Sequence, residues 1–135
     1  MEKNGRTLLV LTTANQLEYT IRAVESIKNC KLKNIDLLIV DDSSIDRTAE
    51  YCKEQNINIV SKEKPMGLTD SWNIGYQYFK KNKYTNLILA NNNILVPQGA
   101  IENLLECLQH SIIVGVMSST QGVIYEPAQA LKNNH

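Results

Sequence analysis

Residues 37–48 read Leu-Leu-Ile-Val-Asp-Asp-Ser-Ser-Ile-Asp-Arg-Thr. An apolar run this short, stopped by two acids and two serines, reads as a strand covered on both faces. Its carboxyl end leaves the core at Asp41, and the next helix is expected from about Asp46, where Ser and Asp side chains can accept free helical N–H groups. The same arrangement recurs outward in both directions. Leu8–Leu11, Ile57–Val60 and Leu87–Ala90 are further apolar runs, separated by longer stretches with helical spacing. Leu17, Ile21, Val24 and Ile27 mark the first helix. The second should carry Ala49 and Cys52 inward and give out near Gln55. A break at Pro65 and Gly67 precedes the third, with Trp72, Tyr76 and Phe79 on one face. Pro97, whose missing N–H suits a first helical turn, should open the fourth, with Ile101, Leu104, Leu105 and Leu108 as its buried stripe. A last strand is expected near Ile112–Met117, and Lys132–His135 should fray. Short buried strands alternating with amphipathic helices define the α/β class: a mostly parallel, Rossmann-like sheet flanked by helices on both faces.

The 135 residues suit one domain, 1–135, without repeat or linker. Fourteen basic residues balance fourteen acidic ones, so no net field recruits nucleic acid or an anionic membrane. Lys80, Lys81 and Lys83 read as a solvated helix end. No apolar run reaches the roughly 20 residues of a membrane helix, and no secretory signal pattern is expected at the start. Cys30, Cys52 and Cys107 are odd in number and lack metal-like spacing. They read as buried or half-buried thiols of a cytoplasmic protein.

Open α/β sheets bind ligands at the carboxyl ends of their strands. The candidate residues cluster there: Thr12, Thr13 and Asn15 after strand one, Asp41 and Asp42 after strand two, and Asn91, Asn92 and Asn93 after strand four. A carboxylate at the second strand's end can accept hydrogen bonds from a ribose or a base, or it can begin a turn and cap a helix. Both roles are open to Asp41 and Asp42, and two adjacent acids there need compensation. The asparagine triplet can likewise contact a ligand or form a hydrogen-bonded turn. The loop Thr12-Thr13-Ala14-Asn15-Gln16 has no glycine, which argues against a dinucleotide enzyme and a methyltransferase-like domain. Walker and Gly-x-Ser-x-Gly motifs are missing, and His110 and His135 lack evident partners.

Leu-Leu-Val-Leu-Thr-Thr-Ala-Asn at 8–15, Ile-Val-Asp-Asp-Ser-Ser-Ile-Asp-Arg-Thr at 39–48, Gly67, Asn73 and Gly75, and Asn-Asn-Asn-Ile-Leu-Val-Pro at 91–97 together resemble the inverting family-2 glycosyltransferases of the GT-A (nucleotide-diphospho-sugar transferase) fold. The resemblance implies the strand order three-two-one-four. It also implies transfer of a sugar from a nucleoside-diphosphate sugar to an acceptor hydroxyl, in polysaccharide or glycan biosynthesis. By position, Thr12 and Asp42 would hold the base, Gly67 to Asn73 would pass near the diphosphate, and the residues after strand four would hold Mn²⁺ or Mg²⁺. Three departures stand out. Ala14 replaces an aromatic residue. Asn91 and Asn93 stand where metal-binding aspartates are expected, and an amide oxygen brings no charge to such a hard cation. The acceptor-binding half that supplies the catalytic base is largely missing, and nothing ties Glu126 to that role. The resemblance therefore leaves two readings, an incomplete transferase and a catalytically degenerate binding or assembly module.

Overall fold

The computed structural model describes residues 5–111. The expected strand at Ile112–Met117, Glu126, His135 and the fraying tail lie outside them. The described residues fall into two compact units, the first ending at Ala100 and the second beginning at Ile101.

The first unit is built on four parallel strands in the order β3-β2-β1-β4. They are β1 (Thr7–Thr13), β2 (Ile35–Asp41), β3 (Asn58–Ser61) and β4 (Asn86–Asn91). Parallel neighbours require crossover connections, which are supplied by α1 (Leu17–Asn29), α2 (Thr48–Glu54) and α3 (Leu68–Lys81). Because side chains alternate along a strand, the two apolar runs in the centre feed two faces at once. Leu11 and Ile39 pack with Ala23, Val24 and Cys52 of α1 and α2. Leu8, Val10, Leu38 and Val40 pack instead against Ile74, Tyr78 and Phe79 of α3. Helices thus cover both faces, and every residue of β1 is buried.

The carboxyl ends of α1, α2 and α3 carry no glycine. Asn56 and Lys83 take the left-handed position after α2 and α3, with φ 54° and 57°. The next N–H reaches back across the last turn in each case, Ile57 to the Cys52 carbonyl at 2.9 Å and Tyr84 to that of Phe79 at 3.2 Å. These are Schellman closures, which satisfy orphan carbonyls and turn the chain into the following strand region.

Several local expectations are corrected. Ala49 is exposed; Thr48 and Cys52, one helical turn apart, are the buried residues of α2. Trp72, Tyr76 and Phe79 do share a side of α3, and the Tyr76 and Phe79 rings stack at 6.1 Å. Tyr76 is nevertheless 46% exposed, and the buried positions of α3 are Ser71 and Gly75. Gly75 permits the helix to sit close on β1: a Cβ there would lie 2.8 Å from Val10 Cγ1 and 3.3 Å from its Cβ. Cys107 is exposed, whereas Cys52 is buried and Cys30 half-buried. Pro97 does not open the fourth helix. Its carbonyl accepts the Ala100 N–H in a turn, Gly99 has φ 82°, and α4 spans Ala100–Cys107. Within α4, Ile101 is buried and Leu104 and Leu105 are half-buried, as is Leu108 just beyond it. Among the described residues no helix is long and apolar enough to cross a membrane.

Candidate functional site

The carboxyl ends of β1, β2 and β4 open into a cleft of about 270 Å³. Strand register brings the three ends together, since Thr12 lies opposite both Val40 and Asn91, and Thr13 lies opposite Asp41. Thr12, Thr13, Ala14 and Gln16 line one side, Asp42 and the α3 residues Leu68 and Ser71 another, and Asn91, Asn92 and Asn93 a third.

The two acids diverge. Asp41 is 2% exposed and turns back on its own loop, where its Oδ1 accepts the Ser44 N–H at 3.1 Å and the Ser44 hydroxyl. Asp42 faces the loop before α3. Its Oδ1 accepts the Met66 N–H at 2.7 Å and its Oδ2 accepts the Gly67 N–H at 3.0 Å. Lys62, just beyond β3, ion-pairs with Asp42 at 3.0 Å and Asp70 at 2.9 Å, and its Nζ donates to the Gly67 carbonyl at 3.1 Å. The Met66 N–H, with Lys62 and the Gly67 N–H, outweighs burial and holds the Asp42 carboxyl below its ordinary value. Burial alone would push the Lys62 ammonium down, but hydrogen bonds to Asp70 and Asp42 carry it above its ordinary value. Lys62 was missed at the sequence level; its position at the carboxyl end of a parallel strand was the available signal.

Asn15 is a brace. It sits at φ 59° beside Gln16 at φ 57°. Its Oδ1 accepts the Ile45 N–H at 2.8 Å, and its own N–H donates to Ser44 Oγ at 2.7 Å. Asp46 completes the exchange between the two loops: Oδ2 accepts the Leu17 N–H at 3.1 Å and Oδ1 the Thr48 N–H at 3.1 Å. One carboxylate thereby satisfies N–H groups at the starts of α1 and α2.

The asparagines differ just as sharply. Asn92 is turned inward, its Nδ2 within 3.3 Å of Thr13 Oγ1, 3.2 Å of Thr20 Oγ1 and 3.4 Å of the Asn15 carbonyl. Asn91 Oδ1 accepts the Thr12 hydroxyl at 2.9 Å. Asn91 therefore has an N–H₂ left to offer, and Asn93 is exposed at the cleft edge. Gly67 lies in the loop that Asp42 holds. Asn73 is exposed on α3 and does not join the lining, because the lining positions Leu68 and Ser71 point elsewhere around the helix. Leu68 and Ser71, inside the expected Gly67–Asn73 segment, and Gln16 join the cleft without having been singled out.

A divalent cation does not fit this donor set. The oxygen of Asn91 is engaged, Asn92 faces the core, and Asn93 is neutral. Among the described residues no three His, Cys, Asp or Glu side chains converge. Mg²⁺ and Mn²⁺ seek charged oxygen ligands.

A cleft at the carboxyl edge of a parallel sheet defines a ligand-binding α/β domain. Residues 8–133 match the family described as Glycosyl transferase family 2, and the chain belongs to that family. It is 24% identical over 115 residues to the Glycosyltransferase GlyG of Streptococcus pneumoniae serotype 4 (strain ATCC BAA-334 / TIGR4), covering 79% of this chain and 37% of that protein. The mannosyltransferase PcManGT from Pyrobaculum calidifontis, solved in complex with GDP-Man and Mn²⁺, superposes with TM-score 0.74 at 12% identity, over 87% of this chain and 37% of its own. S. aureus TarS 1-349 in complex with UDP superposes with TM-score 0.69 at 10% identity, over 90% and 38%. The fold is GT-A, in the expected strand order. The chain spans little more than a third of the length of these relatives.

Proposed function

We propose that this chain binds a nucleoside-diphosphate sugar for inverting transfer to an acceptor hydroxyl, as the nucleotide-binding part of a family-2 glycosyltransferase. The observation that carries the proposal is the convergence of Thr12 and Asp42 on one cleft in a member of this family, although one lies on β1 and the other just past the end of β2. The relatives captured with GDP-Man and with UDP support the ligand class. In such a transfer the acceptor oxygen attacks the anomeric carbon, its proton passes to a base, and the bond to the diphosphate breaks to release the nucleoside diphosphate. Asp42 is suited to holding donor groups. It is a poor base, because three hydrogen-bond donors already stabilise its ionised form. Thr13, Asn91 and Asn92 line the same cleft, Asn15 and Asp41 brace the loops at its rim, Gly67 lies in the loop that Asp42 holds, and Asn73 stays outside the lining. We place the reaction in the cytoplasm, in glycan biosynthesis, a setting that suits the thiols of Cys30, Cys52 and Cys107, all of which are free.

The second reading, binding without turnover, is favoured by the neutral asparagines at the end of β4. One experiment tests both. The isotope-labelled chain is titrated with UDP- and GDP-sugars, and released nucleoside diphosphate is assayed in the same samples. Amide shifts at Thr12, Asp42 and Asn91 are expected without release, and release would select the enzyme reading. Shifts with none of the donors would overturn both.

A further inference from the structure

The described lining of the cleft contains no lysine, arginine or histidine. Lys62 lies close behind it but is enclosed, with a side chain 6% exposed. An ammonium has three donors, and here each has an acceptor: Asp42 at 3.0 Å, Asp70 at 2.9 Å and the Gly67 carbonyl at 3.1 Å. To reach a phosphate it would have to abandon two carboxylates. Those carboxylates together carry one more charge than Lys62 cancels, so the local field opposes an anion. The opposite wall offers only neutral groups, the Asn91 N–H₂ and the Asn93 amide, and its donor set does not fit a divalent cation that could offset phosphate charge. Phosphates therefore meet neither a cation nor a metal along this lining.

A nucleoside does find partners. Leu68, 43% exposed, offers apolar surface to the flat face of a base. Asp42 Oδ2 accepts one hydrogen bond, from Gly67, and has room for a second from a base N–H or a ribose hydroxyl. We infer that this cleft recognises the uncharged nucleoside end of its ligand and draws no affinity from the phosphates or from a divalent cation. The inference rests on the nucleotide-sugar reading above.

Calorimetric titrations of the chain with uridine, UMP and UDP, and with guanosine, GMP and GDP, test it when each is run with and without Mn²⁺ and at low and high salt. Within the base series that binds, the diphosphate should bind no more than about threefold more tightly than the nucleoside, and the constants with and without Mn²⁺ should agree within about threefold. Salt should leave the nucleoside affinities unchanged and should not lower those of the phosphorylated ligands, because no attractive charge pair is being screened. A diphosphate preference above about threefold, a Mn²⁺-dependent gain of that size, or affinity that falls with salt overturns the inference while leaving nucleotide binding intact. Binding of none of the six compounds overturns the functional proposal and the inference with it.

Discussion

Asp41 and Asp42 are adjacent in sequence, yet each satisfies a different part of the molecule. Asp41 closes its own turn through Ser44, and Asp42 ties the end of β2 to the loop before α3. Their mutual repulsion is offset separately, by a hydroxyl and an N–H in one case and by Lys62 with two N–H groups in the other. The alternatives open in the sequence, turn or ligand, thus resolve into a turn for Asp41 and a cleft-facing brace for Asp42. No local pattern could distinguish them, because the partners of Asp42 are 20 to 25 positions away. A pH dependence follows. The folded carboxyl of Asp42 lies below its ordinary 3.8, so its contribution to stability is present above that value and is lost as pH falls through the lower, folded one. Asp36, lowered by Tyr84 and then by Arg6, adds to the same acid limb. Urea midpoints of the wild type should therefore fall between about pH 6 and about pH 3, and Asp42→Asn should show a shallower fall. Equal slopes would mean that the Asp42 hydrogen bonds do not favour its ionised form.

At the scale of elements, strands were the most readable part of the sequence. Each of the four expected apolar runs overlaps a strand. Burial on both faces explains the continuous signal of β1 and the end of β2, while β3 and β4 carry apolar runs that are only half-buried. Helix faces were harder. The buried side of α2 contains a threonine and that of α3 a serine and a glycine, residues that an apolar-stripe reading passes over. The start of α4 was misplaced because the turn at Pro97–Ala100 depends on the positive φ of Gly99, a conformation that proline chemistry does not announce. Gly75 is the sharpest case of an uninformative side chain with a structural role. A Cβ there meets the branched Val10 inside the core. Overpacking costs about 1–3 kcal/mol, against about 1 kcal/mol gained from better helix propensity. Gly75→Ala should thus lose about 1 kcal/mol net in denaturant unfolding. In a Val10→Ala background the same change should become neutral or stabilising, since the Val10 methyls are the obstacle. A full penalty in that background would place the strain elsewhere.

For the first unit as a whole, the strand order predicts a gradient of stability. β1 is hydrogen-bonded on both sides and wholly buried. β4 pairs with β1 alone among the described residues and leaves Leu89 39% exposed. Amide hydrogen exchange should be slowest at Leu9–Leu11 and Leu38–Val40 and faster along β4. Uniform protection across all four strands would instead mean that the sheet opens only by global unfolding. The cross-bracing at the cleft rim has a different kind of consequence. Asn15 belongs to the β1–α1 loop and holds Ser44 and Ile45, and Asp46 belongs to the β2–α2 loop and holds Leu17. Neither loop carries its shape alone. Transplanting residues 12–17 into another scaffold should reproduce their conformation only if residues 43–48 move with them, and an insertion in either loop should need a matching adjustment in the other. The two loops are one interchangeable part, divided between two stretches of chain.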